Sequence, residues 1–205
     1  QNAAEANYQR FWSALRHLLT HDSEALKRFD EIRAGFATAM NTEMEKMWAK
    51  KLGLFRYDAF LVNEMLQLMF QSKVDYTIFF RTLSNIPNEL TDIKESFYVE
   101  SSEQIDAKWI RWLTLWRENI KRRGDHREIS AEMKLINPKY TWREWLIAPA
   151  YEKAEKGDYS LIKELQDVLA NPYEEQSLEV EKKYYRLKPK KFFNSGGISH
   201  YSCSS

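Results

Sequence analysis

Apolar side chains recur at three- and four-residue spacing through the first 123 positions, and this periodicity constrains the fold more than any other feature. Tyr8, Phe11, Trp12, Leu15, Leu18 and Leu19 predict an amphipathic helix over 2–20. Asp22 or Ser23 can cap a second helix, to about Leu52, with the stripe Leu26, Phe29, Ile32, Phe36, Met40, Met44, Met47 and Trp48. Thirty residues is long for one helix, and Gly35 is the place where it bends or divides. Gly53 suits the left-handed position just past the end. Asp58 can cap a third helix, to about Gln71. The very apolar run 74–84 is β-branched and aromatic, as a strand would be, but it does not alternate, so it reads as a buried helix. Residues 85–101 read as a loop. Ile105, Trp109, Trp112, Leu113, Trp116 and Ile120 mark the clearest helix, over 102–123, which Gly124 ends.

Beyond this the pattern weakens. Residues 125–136 are polar, with a short helical turn. Asn137-Pro138 reads as a helix start, and Pro149 should kink or split the helix that follows. Gly157-Asp158 ends it, and Asp158 or Ser160 caps another helix to Ala170, stopped by Asn171-Pro172. Only six Gly and five Pro occur, which is few for a turn-rich all-β domain. The expected class is therefore all-α. Residues 1–172 form its helical part, and 173–205 an extended basic tail that packs across its own domain. Within 177–205 six basic residues (Lys182, Lys183, Arg186, Lys188, Lys190, Lys191) face two Glu, a net of +4.

Composition excludes several classes of function. Lys+Arg is 31 against 30 Asp+Glu, so this is not a broadly basic nucleic-acid binder. At 43% hydrophobic residues, the chain can bury a core. No run of 18 uncharged apolar residues is present to span a membrane, and the first twenty residues lack an apolar signal core. No Gly-rich phosphate loop, Walker-type lysine, kinase catalytic-loop pattern or Asp-Phe-Gly triplet is found. His17 and His21 have ligand spacing, but their helix ends between them. Carboxylate pairs such as Glu43/Glu45 and Glu174/Glu175 suit solvated faces. The Trp109/Trp112/Trp116 row and the Met40/Met44/Met47 row have core spacing. Tyr184, Tyr185, Phe192 and Phe193 interleave with the tail cations, a pattern that can bind single strands, but the stretch is short. Cys203, the only cysteine, lies in the polar Ser202–Ser205 end, where a thiol can reach a partner and exchange.

Seven segments in order carry a resemblance: Lys50–Leu54, Asp75–Ser84, Trp109–Arg117, Asn137–Tyr140, Ala154–Asp158, Asn171–Gln176 and Ser202–Ser205. Together they span about 160 residues. They resemble the C-terminal part of the selenoprotein O family, protein adenylyltransferases with a kinase-like fold. The terminal Cys-Ser-Ser is the most telling piece, because some animal members carry selenocysteine where this chain has Cys203. The resemblance implies an enzyme that moves AMP from ATP onto Ser, Thr or Tyr hydroxyls of protein substrates. ATP and Mg²⁺ or Mn²⁺ would bind outside this chain, in an upstream kinase-like lobe.

The chain would then be the helical distal part of the C-lobe, beginning after the metal-binding aspartate, and inactive alone. No catalytic, nucleotide or metal residue carries over. Only Cys203 does, as a redox-regulatory thiol whose disulfide partner lies upstream. The family's eukaryotic members are mitochondrial and its bacterial ones cytoplasmic. The rival readings are a stand-alone helical interaction module, for which Ala154–Asp158 is similar to a helix-hairpin repeat, and a nucleic-acid adaptor acting through the tail.

Overall fold

A computed structural model describes residues 2–193. The described residues are helical, and their one β feature is an isolated bridge between Val74 and Phe97. This is the all-α class that the periodicity requires. Cys203 lies outside the described residues.

The chain divides into two compact units, Gln1–Ala49 and Lys50–Ser205. In the first, α1 (Asn2–Arg16) continues into a 3-10 turn, and α2 (Ser23–Ala34) follows. The Asp22 carboxylate caps α2 by accepting from the Glu24 and Ala25 amides. Gly35 divides α2 from α3 (Phe36–Lys51), as expected. Tyr8 stacks on Phe36 with ring centroids 4.2 Å apart, and Trp12 stacks on Phe29 at 6.3 Å. The six apolar residues of α1 and its 3-10 turn are not all covered. Trp12, Leu15 and Leu19 are half-buried, while Phe11 and Leu18 stand out at 60% and 76% exposure.

In the second unit, α4 (Ala59–Gln71) packs against α6 (Glu103–Lys121), with the buried α5 (Tyr76–Leu83) beside them. Asp58 and Asp75 cap α4 and α5, accepting from Leu61 N and Ile78 N. All three indoles of the Trp109/Trp112/Trp116 row are buried. Each donates its N–H inward: Trp109 to Ser72 Oγ at 2.9 Å, Trp112 to Leu61 O at 2.8 Å, Trp116 to Leu52 O at 2.9 Å. The row is core, as its spacing implies, and its polar edges fasten α6 to α4 and to the end of α3. Gly53 has φ +64°, and a side chain there would collide with Met133 and Ile129.

Four local expectations are corrected. The 85–101 loop contains a 3-10 helix, Leu90–Ser96, opened by a Glu89/Asp92 capping box and burying Leu90 and Ile93. Residues 126–136 are not a short turn but the three-turn α7 (His126–Ile136), because Ile129 and Met133, four apart, both reach the core. Asn137 does not start a helix. It closes α7, its side chain wholly buried in tertiary hydrogen bonds, and α8 (Glu144–Ala154) begins seven residues later. Pro149 does not split α8, which is continuous across it.

The helix after Gly157-Asp158 is α9 (Ser160–Ala170), with Asp158 accepting from Ser160 N. Residues 173–193 are not extended throughout. Ser177 caps α10 (Leu178–Tyr184), and Lys190–Phe192 make a 3-10 turn. Tyr184 joins Tyr140, Ala150, Leu165 and Val168 in a buried cluster. That burial offsets the loss of chain entropy that leaves an undocked tail extended.

Candidate functional site: a charged seam under the tail

The most chemically loaded place in the second unit is the face of α5 that meets the tail. Residues 75, 78 and 82 lie on one side of a helix, and the tail runs antiparallel along them. Glu175 reaches Arg81 at 2.6 Å. The Tyr185 hydroxyl sits between Thr82 Oγ1 at 3.4 Å and the Ile78 carbonyl at 3.5 Å. Further on, Arg186 and Lys188 pass over the groups that surround Asp75.

At the α7 end of the seam, Arg81 is only 4% exposed. Its guanidinium donates to the Lys134 and Asn137 carbonyls at 3.0 and 3.2 Å as well as to Glu175. Lys139, also buried, donates to Glu175 and Glu181, and its ammonium lies 5.0 Å from the Tyr185 ring centre. Partial burial pushes the Glu175 carboxyl up, but hydrogen bonds from Lys139 and Arg81 outweigh it and hold the group below the usual range. The amides of Lys139 and Tyr140 both donate to the Pro172 carbonyl, so the tail is joined here by main chain too.

At the other end Asp75 is 7% exposed and accepts from four donors. Arg143 binds it through two bonds, 2.9 Å to Oδ2 and 2.7 Å to Oδ1. The Tyr98 hydroxyl donates to Oδ2 at 2.7 Å, and Ile78 N donates to Oδ1. Burial, then the Asp75 hydrogen bond, pushes the Tyr98 phenol up to about 12. Behind the seam Lys51 donates to Asn137 Oδ1 at 2.8 Å, and its ammonium lies 4.2 Å from the Phe80 ring centre. Asn137 Nδ2 returns bonds to Lys51 O and Ser84 Oγ. Burial lowers the Lys51 pKa to about 8.

The residues singled out in the sequence fare differently. His17 and His21 are both exposed, and no group of three potential metal ligands forms among the described residues. Glu43 and Glu45 are exposed on α3. Glu175 is the exception among the acidic pairs, since it is drawn into the seam. Asp75, Arg81, Lys139 and Arg143 escaped notice, yet one signal was there. Arg81 is the only cation in the apolar run 74–84, and a charge trapped in such a run must be buried and paired.

With every buried cation of the seam bonded to a carboxylate, the arrangement fits a clamp rather than a reaction centre. An apolar groove of about 630 Å³ lies between the 3-10 helix and α6, floored by Leu90, Ile110 and Leu113. No helix among the described residues is long and apolar enough to cross a membrane.

Comparison with known proteins adds an independent line. The family model described as "Protein adenylyltransferase SelO" matches residues 2–170. A "Protein nucleotidyltransferase YdiU" of Aromatoleum aromaticum is 32% identical over 180 residues, covering 83% of this chain and 34% of the relative. That of Tolumonas auensis is 32% identical over 213 residues, covering 98% and 39%. That of Flavobacterium johnsoniae is 31% identical over 200 residues, covering 91% and 37%. The chain spans between 34% and 39% of the length of these relatives.

Proposed function

The chain belongs to the protein adenylyltransferase SelO family, and from that premise we propose that it is the helical, tail-bearing part of an enzyme that transfers AMP from ATP to Ser, Thr or Tyr hydroxyls of proteins. The observation that carries this reading is the family match over residues 2–170 of a chain about a third as long as its relatives. In this reading the helices are the distal part of a kinase-like C-lobe, and their work is to buttress the catalytic part and to place the tail.

The chemistry of the seam supports putting the nucleotide elsewhere. Arg81, Lys139 and Arg143 are the seam cations that could face a triphosphate, and carboxylates already pair with each of them, while the buried Lys51 behind the seam donates to Asn137 Oδ1. ATP with Mg²⁺ or Mn²⁺ is therefore assigned in this reading to the remainder of the protein. Cys203 is proposed as a redox-regulatory thiol whose disulfide partner lies on that remainder. The compartment follows the source, mitochondrial in a eukaryote and cytoplasmic in a bacterium. Titration calorimetry of the 205-residue chain with Mg-ATP tests the assignment: no heat of binding is expected, and micromolar affinity would refute it.

A further inference from the structure

The tail is held in two different ways on either side of Tyr185. Up to that point it is built in. Tyr184 is 4% exposed in an apolar cluster, Glu181 bonds to Lys139, and Lys183 bonds to Glu164 at 2.6 Å. After it, residues 186–193 include no buried side chain, and Phe193 is half exposed.

Two hydrogen bonds carry the main chain of 186–193 onto the body. Arg143 donates to the Arg186 carbonyl at 3.1 Å, and Lys188 N donates to the Tyr98 hydroxyl oxygen at 3.2 Å. The amides of Phe192 and Phe193 turn inward to Pro189 and Lys190. The rings of this segment make loose pairs, Phe193 on Tyr98 at 5.6 Å and Phe192 on Trp145 at 5.9 Å, with the Arg186 guanidinium over Trp145.

Both main-chain bonds depend on one buried carboxylate. Tyr98 gives its only hydroxyl proton to Asp75, which leaves its oxygen free to accept from Lys188 N. Arg143 is aimed by its two bonds to Asp75, and one of the same nitrogens reaches the Arg186 carbonyl. A segment with little buried apolar surface and few main-chain bonds opens locally at low free energy. We infer that residues 186–193 are a releasable strap, set in place by Asp75 through Arg143 and Tyr98, which lifts while α10 stays docked. Asp75 is thus a positioning residue for the strap. The inference stands on the seam alone and is independent of the AMP-transfer reading.

Amide exchange followed residue by residue by NMR on the 205-residue chain tests it. In the wild type, the Lys188 amide exchanges at least about tenfold faster than that of Tyr185, which bonds within α10 to Glu181. Tyr98→Phe removes the acceptor and speeds Lys188 exchange about fivefold, as loss of one hydrogen bond should, while Tyr185 and Trp116 are unchanged. Asp75→Asn gives the same local pattern. Should Asp75→Asn raise exchange in α6 too, that variant has lost its fold and Tyr98→Phe decides. Protection of Lys188 equal to that of Tyr185 in the wild type would overturn the strap. So would an unchanged Lys188, or an equal acceleration of α10, in Tyr98→Phe.

Discussion

Arg143 and Asp75 stand 68 positions apart in the chain and meet through two hydrogen bonds, 2.9 and 2.7 Å, with the Asp75 side chain 7% exposed and that of Arg143 12%. This pair joins the start of α8 to the start of α5, and the tail lies across it. Removing one partner of such a pair leaves an uncompensated buried charge, which costs more than the pair itself contributes. Arg143→Ala is expected to destabilise the 205-residue chain by about 3–5 kcal/mol. Arg143→Ala combined with Asp75→Asn should cost less than the sum of the single changes. Urea unfolding of the four proteins measures the coupling, and strict additivity would mean the two residues act independently.

Gly53→Ala tests the turn after α3. The left-handed φ of +64° disfavours any side chain, and a Cβ would stand 2.6 Å from Met133 Sδ and 2.8 Å from Ile129 Cγ2. The expected loss is about 2 kcal/mol, from backbone strain together with overpacking. Adding Met133→Ala should relieve the collision but open a cavity of its own. A neutral Gly53→Ala in thermal or urea unfolding would contradict the turn.

Lys51 predicts an unusual alkaline pH profile. Burial holds its folded pKa near 8 against 10.5 for the free side chain, so between these values the unfolded chain binds more protons. Stability then rises with pH through this window, by up to about 3 kcal/mol for a shift of this size. Tyr98 and Tyr185 act oppositely, since burial pushes both phenols up to about 12. Above pH 10 the unfolded chain loses protons that the folded one keeps, and stability falls again. Urea midpoints between pH 7 and 11 should pass through a maximum near pH 10, and Lys51→Met should abolish the rising limb. A rising limb that survives in Lys51→Met would assign it to another group.

The parts of this fold that were readable in the sequence are those set by local rules. The α6 stripe, the caps at Asp22 and Asp58, the break at Gly35 and the left-handed Gly53 each depend on neighbours within one or two turns. Asn137 was misread because its preference for a helix start is a local propensity, whereas its actual partners, Lys51 and Ser84, are 86 and 53 positions away. α10 was missed for a similar reason. Seven polar-rich residues carry no stripe, and Tyr184 finds its apolar surroundings only in Tyr140, Leu165 and Val168. Of the seam itself only Glu175 and the tail residues had been noticed. Pairing between distant charges has no period to detect, and the lone Arg81 in an apolar run was its one visible trace.

Cys203 is expected to govern redox response in the full-length protein. Cys203→Ser should leave the reduced enzyme as active as the wild type and remove its sensitivity to oxidant. Assays of both proteins before and after oxidation check this, and a wild type indifferent to oxidation would count against a regulatory role.

We propose that these 205 residues support a protein AMP transferase whose nucleotide site lies elsewhere in the polypeptide. Incubating the full-length protein, and separately this chain, with labelled ATP, Mg²⁺ or Mn²⁺ and a mixture of cellular proteins tests it most directly. The account predicts AMP on Ser, Thr or Tyr side chains with the full-length protein and none with the chain alone. Transfer by the isolated chain, or no transfer by the full-length protein with either metal, would contradict it.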